Sequence, residues 1–220
     1  MGEHRREFDR QLDTIEAKIM EMFAMICEDL PAATQALLNG NNEVAAPLAE
    51  RERAIDALYR EIEQLVSREI LLQAPVASDL RFLLSVLRIA PELERSHDLV
   101  CHIAARADLV PASELPLSCR RLINQMDELA CGMWRRAADG WYQRDGSAAS
   151  ALAEVDHELD ELHASLVAEV ASGGIALPVA IEMTLVARFY ERLGDHAVNI
   201  ARRVIYLAGS THAQPLDIFR

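Results

Sequence analysis

The sequence is poor in aromatic residues, which make up only 5% of its 220 positions. It also lacks any extended alternation of apolar and polar residues, so there is little to build a β-sheet from. Basic residues are in deficit: 22 Lys and Arg stand against 35 Asp and Glu, for a formal charge of -13. Such a chain is repelled by a phosphate backbone, which argues against nucleic acid as a partner. The four cysteines, Cys27, Cys101, Cys119 and Cys131, form no C-x-x-C pair, so neither a thiolate zinc knuckle nor a redox motif is signalled, and they read as reduced thiols of a cytoplasmic protein. The N-terminal residues Met1 to Glu7 contain no apolar core of a secretory leader. The longest uncharged run, Pro31 to Asn42, is too short and polar to span a bilayer, which predicts no direct membrane insertion. There is no G-x-G-x-x-G, Walker motif or nucleophile elbow, so nucleotide hydrolysis and acyl transfer have no support.

What is present is a hydrophobic fraction of 51% in a background rich in Ala, Leu, Glu and Arg, which favours helices. Breakers divide the chain into six long helices. The first is expected from about Arg5 to Leu38, with a kink at Pro31, ending at Asn39-Gly40-Asn41-Asn42. The others are expected at about Glu43–Gln73, Val76–Asp108, Ser113–Gln143, Ser147–Ser172 and Leu177–Ala208. Leu80, Leu83, Leu84 and Leu87 read as a core-facing stripe of the third helix, and Pro91 as a bend in it. Long helices joined by short turns pack antiparallel, so the fold class is all-α.

The two halves repeat one another. An offset of 104 pairs Leu48 with Leu152, Glu52 with Asp156, Asp56 with Asp160 and Cys27 with Cys131. An offset of 97 lays Glu94-Arg95-Ser96-His97-Asp98 on Glu191-Arg192-Leu193-Gly194-Asp195. The change of offset reads as a shorter turn between the second and third helices of the second half. Two tandem antiparallel three-helix bundles follow, residues 1–110 and 111–209, with 210–220 as a loosely held tail.

Four acid-x-x-x-acid pairs occupy repeat-equivalent positions: Glu52/Asp56, Glu94/Asp98, Asp156/Asp160 and Glu191/Asp195. The i, i+4 spacing puts both carboxylates on one helix face about 6 Å apart, which is unfavourable unless a cation or basic group lies between them. Roughly five or six such pairs arise by chance in so acidic a chain, so one alone says little. Four at equivalent places, at matching heights in each helix hairpin, point to two oxygen-rich metal sites. His97 lies one turn from Glu94 and His102 one turn from Asp98, so either could add an imidazole to the first site. Two rival readings exist. Glu94-x-x-His97 and Glu154-x-x-His157 resemble half-sites of a dimetal carboxylate oxidase, although they fall at non-equivalent places. A metal-free helical adaptor is the other.

Tyr190-Glu191-Arg192-Leu193-Gly194-Asp195-His196-Ala197-Val198-Asn199-Ile200-Ala201 resembles the L-E-R-I-G-D-H-A-x-N-I-A signature of the PhoU family almost residue for residue. Pro75-Val76-Ala77-Ser78-Asp79-Leu80-Arg81 resembles its P-V-A-x-D-L-R segment, and Glu94-Arg95-Ser96-His97-Asp98 its first E-R-x-x-D copy. The chain departs from the pattern at Ser96-His97, where Ile-Gly is usual. The resemblance implies multinuclear iron or zinc clusters held by Glu52, Asp56, Glu94, Asp98, Asp156, Asp160, Glu191 and Asp195. It also implies a non-enzymatic cytoplasmic negative regulator of phosphate uptake and phosphate-starvation signalling, commonly a homodimer. Its implied partners are the ATPase subunit of a phosphate ABC transporter and a membrane sensor histidine kinase.

Overall fold

A computed structural model of the chain describes residues 2–209, with the side chains of residues 2, 3 and 42 outside that description. The expected loose tail, 210–220, lies outside the described residues. Six α-helices account for the architecture: α1 (Gly2–Asn39), α2 (Ala45–Gln73), α3 (Ala77–Ala105), α4 (Leu117–Gln143), α5 (Ala148–Ala171) and α6 (Leu177–Leu207). No strand occurs among the described residues.

Local chemistry fixes the ends. Gly40 at φ 65° closes α1, and Arg144 at φ 57° closes α4. Pro178 opens α6, where its missing N–H costs nothing. The turn between α2 and α3 is tighter than its residues prefer: Ala74 and Ala77, on either side of Pro75-Val76, both sit at positive φ. Helix α1 continues through Pro31, and α3 through Pro91. One expected boundary is corrected: helix α4 begins at Leu117 rather than Ser113, because Pro116 takes the N-cap and residues Ala112–Glu114 form a separate 3-10 turn. The core face of α3 is Phe82, Leu83, Val86, Ile89, Ala90 and Leu93, whereas Leu84 is 40% exposed.

The change of repeat offset has a different origin from the one the spacing suggests. The α5–α6 turn, residues 172–176, is longer than the α2–α3 turn, residues 74–76. It is α5 that is short, 24 residues against 29 for α2.

Helix α1 packs against α2 and α3, and α4 against α5 and α6. The two bundles join through α1 on α4 and α3 on α6. Both junctions are antiparallel. Along α1 and α4, Arg120 donates to the Leu38 carbonyl at 2.7 Å, Thr34 meets Asp127, Phe23 meets Trp134, and Glu16 pairs with Arg144. Along α3 and α6, Arg106 pairs with Glu182 at 3.1 Å and Ser96 bonds His196 at 2.8 Å. The repeats are therefore related by a pseudo-two-fold axis. Repeat-equivalent residues meet the axis near Cys27 and Cys131 on one side and near His97 and Gly194 on the other. One apolar cluster, with members from all six helices, runs through both bundles.

A buried polar knot ties the bundles at this waist. Tyr190 O–H and the Thr34 hydroxyl are 2.6 Å apart, and Thr34 reaches Asp127 Oδ1, also at 2.6 Å. Carboxylates accept, so Thr34 gives its proton to Asp127 and receives that of Tyr190. Burial pushes the Asp127 carboxyl above its ordinary range, while the Thr34 bond pulls it down.

Candidate metal centre

The eight carboxylates fall into two groups, one in each hairpin. Helices α2 and α3 carry Glu52, Asp56, Glu94 and Asp98, all half-buried. Helices α5 and α6 carry Asp156 and Glu191, half-buried, with Asp160 and Asp195 exposed. Each group includes acids from both helices, and they act on one another. The Glu94 carboxyl is raised by burial, then by Asp98 and Asp56. Asp98 is raised by burial, then by Glu52 and Asp56. In the second group Asp156 is pushed up to about 6 by burial and by Asp160 and Asp195. Glu191 is raised by burial, against an opposing ion pair with Arg188. Each hairpin thus concentrates negative charge that a cation would relieve.

The carboxylates face common patches but are not closed around a point. Among the described residues no three His, Cys, Asp or Glu side chains converge as a bound metal ion requires. The donor chemistry suits a hard or borderline divalent ion, and filling either patch needs side-chain rotation inward from mutual repulsion.

A glycine sets the second patch. A Cβ at Gly194 would lie 2.5 Å from Asp156 Oδ1 and 2.8 Å from Leu159 Cδ2. Without one, α5 approaches α6 closely enough for Asp156 to sit beside Asp195. In the first repeat His97 holds the equivalent position.

The structure removes His97 from the candidate ligands. It is fully buried, turned toward α1, with Nε2 2.9 Å from Asp29 Oδ2. Asp29 accepts, so Nε2 carries the hydrogen and Nδ1 is left as an acceptor, 3.6 Å from Cys101 Sγ. Arg51 completes the arrangement at 3.0 Å from Asp29 Oδ1. At the equivalents of His97 and Asp29 the second repeat has Gly194 and Met133, 3.6 Å apart at the Met133 methyl and the built Cβ. A polar pair in one repeat replaces a glycine packed under a methionine in the other.

His102 does stand at the first patch. It is exposed, stacks on Phe189 with ring centroids 5.5 Å apart, and lines a cavity of about 290 Å³ with Glu52 and Cys101. Its pKa is lowered by burial and by Arg106, against the attraction of Asp98 and Glu52. The oxidase half-sites do not assemble: His97 is committed to Asp29, while His157 is exposed against Glu161 at 3.6 Å. Cys101 lines the same cavity as His102, with its thiol 3.6 Å from His97 Nδ1 and 3.9 Å from the Leu48 carbonyl oxygen.

Comparison with known proteins agrees with this architecture. The PhoU domain model matches residues 19–107 and 123–204, one match in each repeat. The chain belongs to the PhoU family. It is 32% identical to a phosphate-specific transport system accessory protein PhoU homolog of Zymomonas mobilis, over 94% of this chain and 89% of that one. It is 31% identical to PhoU homolog 2 of Mycobacterium tuberculosis, over 93% and 97% respectively. The crystal structure of PhoU from Pseudomonas aeruginosa superposes with a TM-score of 0.86 at 24% identity, covering 93% of this chain and all of the other. That of the phosphate transport system regulatory protein PhoU from Streptococcus pneumoniae gives 0.85 at 24% identity, over 95% of this chain and all of the other. The PhoU fold is thereby shown: six helices in two tandem three-helix bundles. Among the described residues no helix is long and apolar enough to cross a membrane.

Proposed function

We propose that this PhoU-family chain is a cytoplasmic, metal-binding negative regulator of phosphate uptake. It docks on the ATPase subunit of a phosphate ABC transporter and on a membrane sensor histidine kinase, and so couples transport to phosphate-starvation signalling. The observation that carries the metal part is the pair of repeat-equivalent carboxylate patches, each with carboxyls raised by burial and by one another. The relatives, accessory proteins of phosphate-specific transport systems by name, carry the transport part. Glu52, Asp56, Glu94 and Asp98 would hold one iron or zinc centre, and Asp156, Asp160, Glu191 and Asp195 the other. Bound metal would neutralise each patch and draw its two helices together, stiffening the hairpins that partners meet. The chain acts by binding, as a homodimer, with no catalytic step assigned to it.

Elemental analysis of untagged protein purified without chelator tests the metal reading, beside a variant with all eight carboxylates changed to Ala. Several equivalents of iron or zinc in the parent and none in the variant is the expected result. Parent protein that stays metal-free and resists reloading overturns it and leaves a metal-free adaptor. The signalling role is tested by deletion, which should leave the phosphate-starvation response active in abundant phosphate. Normal repression in the deletion strain would end that reading.

A further inference from the structure

The pseudo-two-fold axis makes the two ends of the molecule comparable. At one end, residues 106–116, which join α3 to α4, cross the junction of the bundles and fill it. Val110 and Leu115 of this segment are buried, and so is Leu38 beside it. Arg120 fastens the crossing: its guanidinium donates to the carbonyl oxygens of Leu38 at 2.7 Å, of Leu115 at 3.2 Å and of Ala112. Ala112 also packs over Gly40, with 3.4 Å between its methyl and a Cβ built on the glycine.

The equivalent place at the other end is a cavity of about 530 Å³, walled by Leu12, Glu16, Phe82, Tyr142, Arg144 and Leu207. By the repeat offsets, Glu16 corresponds to Arg120, Tyr142 to Leu38, Arg144 to Gly40 and Leu207 to Val110. Leu38 is 4% exposed, whereas Tyr142 is 67% exposed. Among the described residues no connecting segment crosses this end. Glu16 offers an acceptor where Arg120 offers donors. Its Oε2 pairs with Arg144, while Oε1 is buried with no hydrogen-bond partner among the described residues. A buried carboxylate oxygen in that state calls for a donor.

The chain itself leads to this cavity. Helix α6 ends at Leu207, on the cavity wall, and Gly209 at φ 73° turns the chain off the helix axis. A Cβ built on Gly209 would lie 3.7 Å from Nη2 of Arg81, the neighbour of Phe82 in α3. Arg81 Nε is buried without an acceptor among the described residues. Residues 210–220 follow, as many as make up the 106–116 crossing, with a reach of about 35 Å when extended. They supply Leu216, Ile218 and Phe219 as apolar side chains.

We propose that residues 210–220 dock in this cavity and clasp the two bundles together, as residues 106–116 do at the opposite end. Leu216, Ile218 and Phe219 cover Phe82, Tyr142 and Leu207, and an N–H of the segment donates to Glu16 Oε1. The clasp is independent of any bound metal.

Hydroxyl-radical footprinting of the full-length protein, read by mass spectrometry at Tyr142, tests this. Tyr142 should react slowly in the parent, at a rate independent of protein concentration. In the combined variant Leu216→Asp, Ile218→Asp, Phe219→Asp that rate should rise severalfold. Half-buried Tyr59 of α2, which does not line the cavity, should keep its rate. Circular dichroism establishes that the helices of the variant are intact, and Phe219→Ser alone replaces it if it fails to fold. Tyr142 reacting as fast in the parent as in the variant overturns the proposal. Protection of the parent that is lost on dilution also overturns it, and assigns the cavity to a second copy of the chain.

Discussion

Gly194 and Asp156 belong to different helices, yet a single methyl on the first would come within 2.5 Å of a carboxylate oxygen of the second. The second carboxylate patch is thus shaped by an absent side chain. Gly194→Ala should force α5 and α6 apart or swing Asp156 outward. Overpacking of this kind costs about 1–3 kcal/mol, partly offset by the better helix propensity of Ala. A urea titration of the metal-free protein should show the loss. Asp156→Ala in the Gly194→Ala background should restore part of it, because the nearest clashing atom is then gone.

The carboxylate patches should stabilise the folded metal-free protein as the pH falls from 7 to 5, against the opposing effect of His102 and His196, whose pKa values burial lowers. The Asp156 carboxyl is raised to about 6 in the fold, by burial first and then by Asp160 and Asp195. The folded state therefore holds its proton at a pH where the unfolded chain has released it. Stability is highest below the unfolded value and is lost as pH rises through the folded one. Asp98, Glu94 and Glu191 shift in the same direction. Asp156 is partly exposed, so after discounting for solvent screening its share is about 1 kcal/mol. Urea midpoints at pH 5 and pH 7 in chelator should differ less for Asp156→Asn than for the parent, and equal differences would contradict the account.

Asp29 and His97 should behave as a unit. Asp29→Ala leaves a fully buried imidazole donor without its acceptor, at a cost of about 1–3 kcal/mol. The second repeat supplies a working alternative in Met133 and Gly194. Asp29→Met combined with His97→Gly should lose less than the sum of the single changes, with a coupling of at least about 1 kcal/mol. A double-mutant cycle in denaturant measures it.

Thr34→Val should be more costly than Tyr190→Phe. The first removes the acceptor for Tyr190 and leaves Asp127 Oδ1 with only the weak Cys131 thiol donor at 3.6 Å, while the second removes a single donor. Losses of about 2–4 and about 1 kcal/mol are expected in chemical denaturation.

The helices were legible in the sequence because glycine and proline mark their ends, and the carboxylate patches because their spacing recurs in both repeats. Boundaries slipped where a proline took a cap position, as Pro116 does before α4. The fate of His97 was not legible. Its partner Asp29 lies 68 residues away on another helix, and only the packing of α1 on α3 brings them together. Helical spacing alone put His97 beside Glu94, but a histidine one turn from a carboxylate can still face the core when an acceptor waits there. The partial opening of Cys101 was not legible either: thiols are usually core residues, and only the cavity shared with Glu52 shows one face of it open.

In a dimer of identical half-chains, any residue on the two-fold axis faces its own copy, and only self-complementary choices are tolerated there. An aspartate would meet an aspartate, and a histidine a histidine. Joining the halves in one chain lifts that restriction. At the axis of this protein Cys27 still faces an identical Cys131, but beside it Asp29 answers to Met133 and His97 to Gly194. Covalent linkage is what allows a symmetric scaffold to carry two differently lined patches.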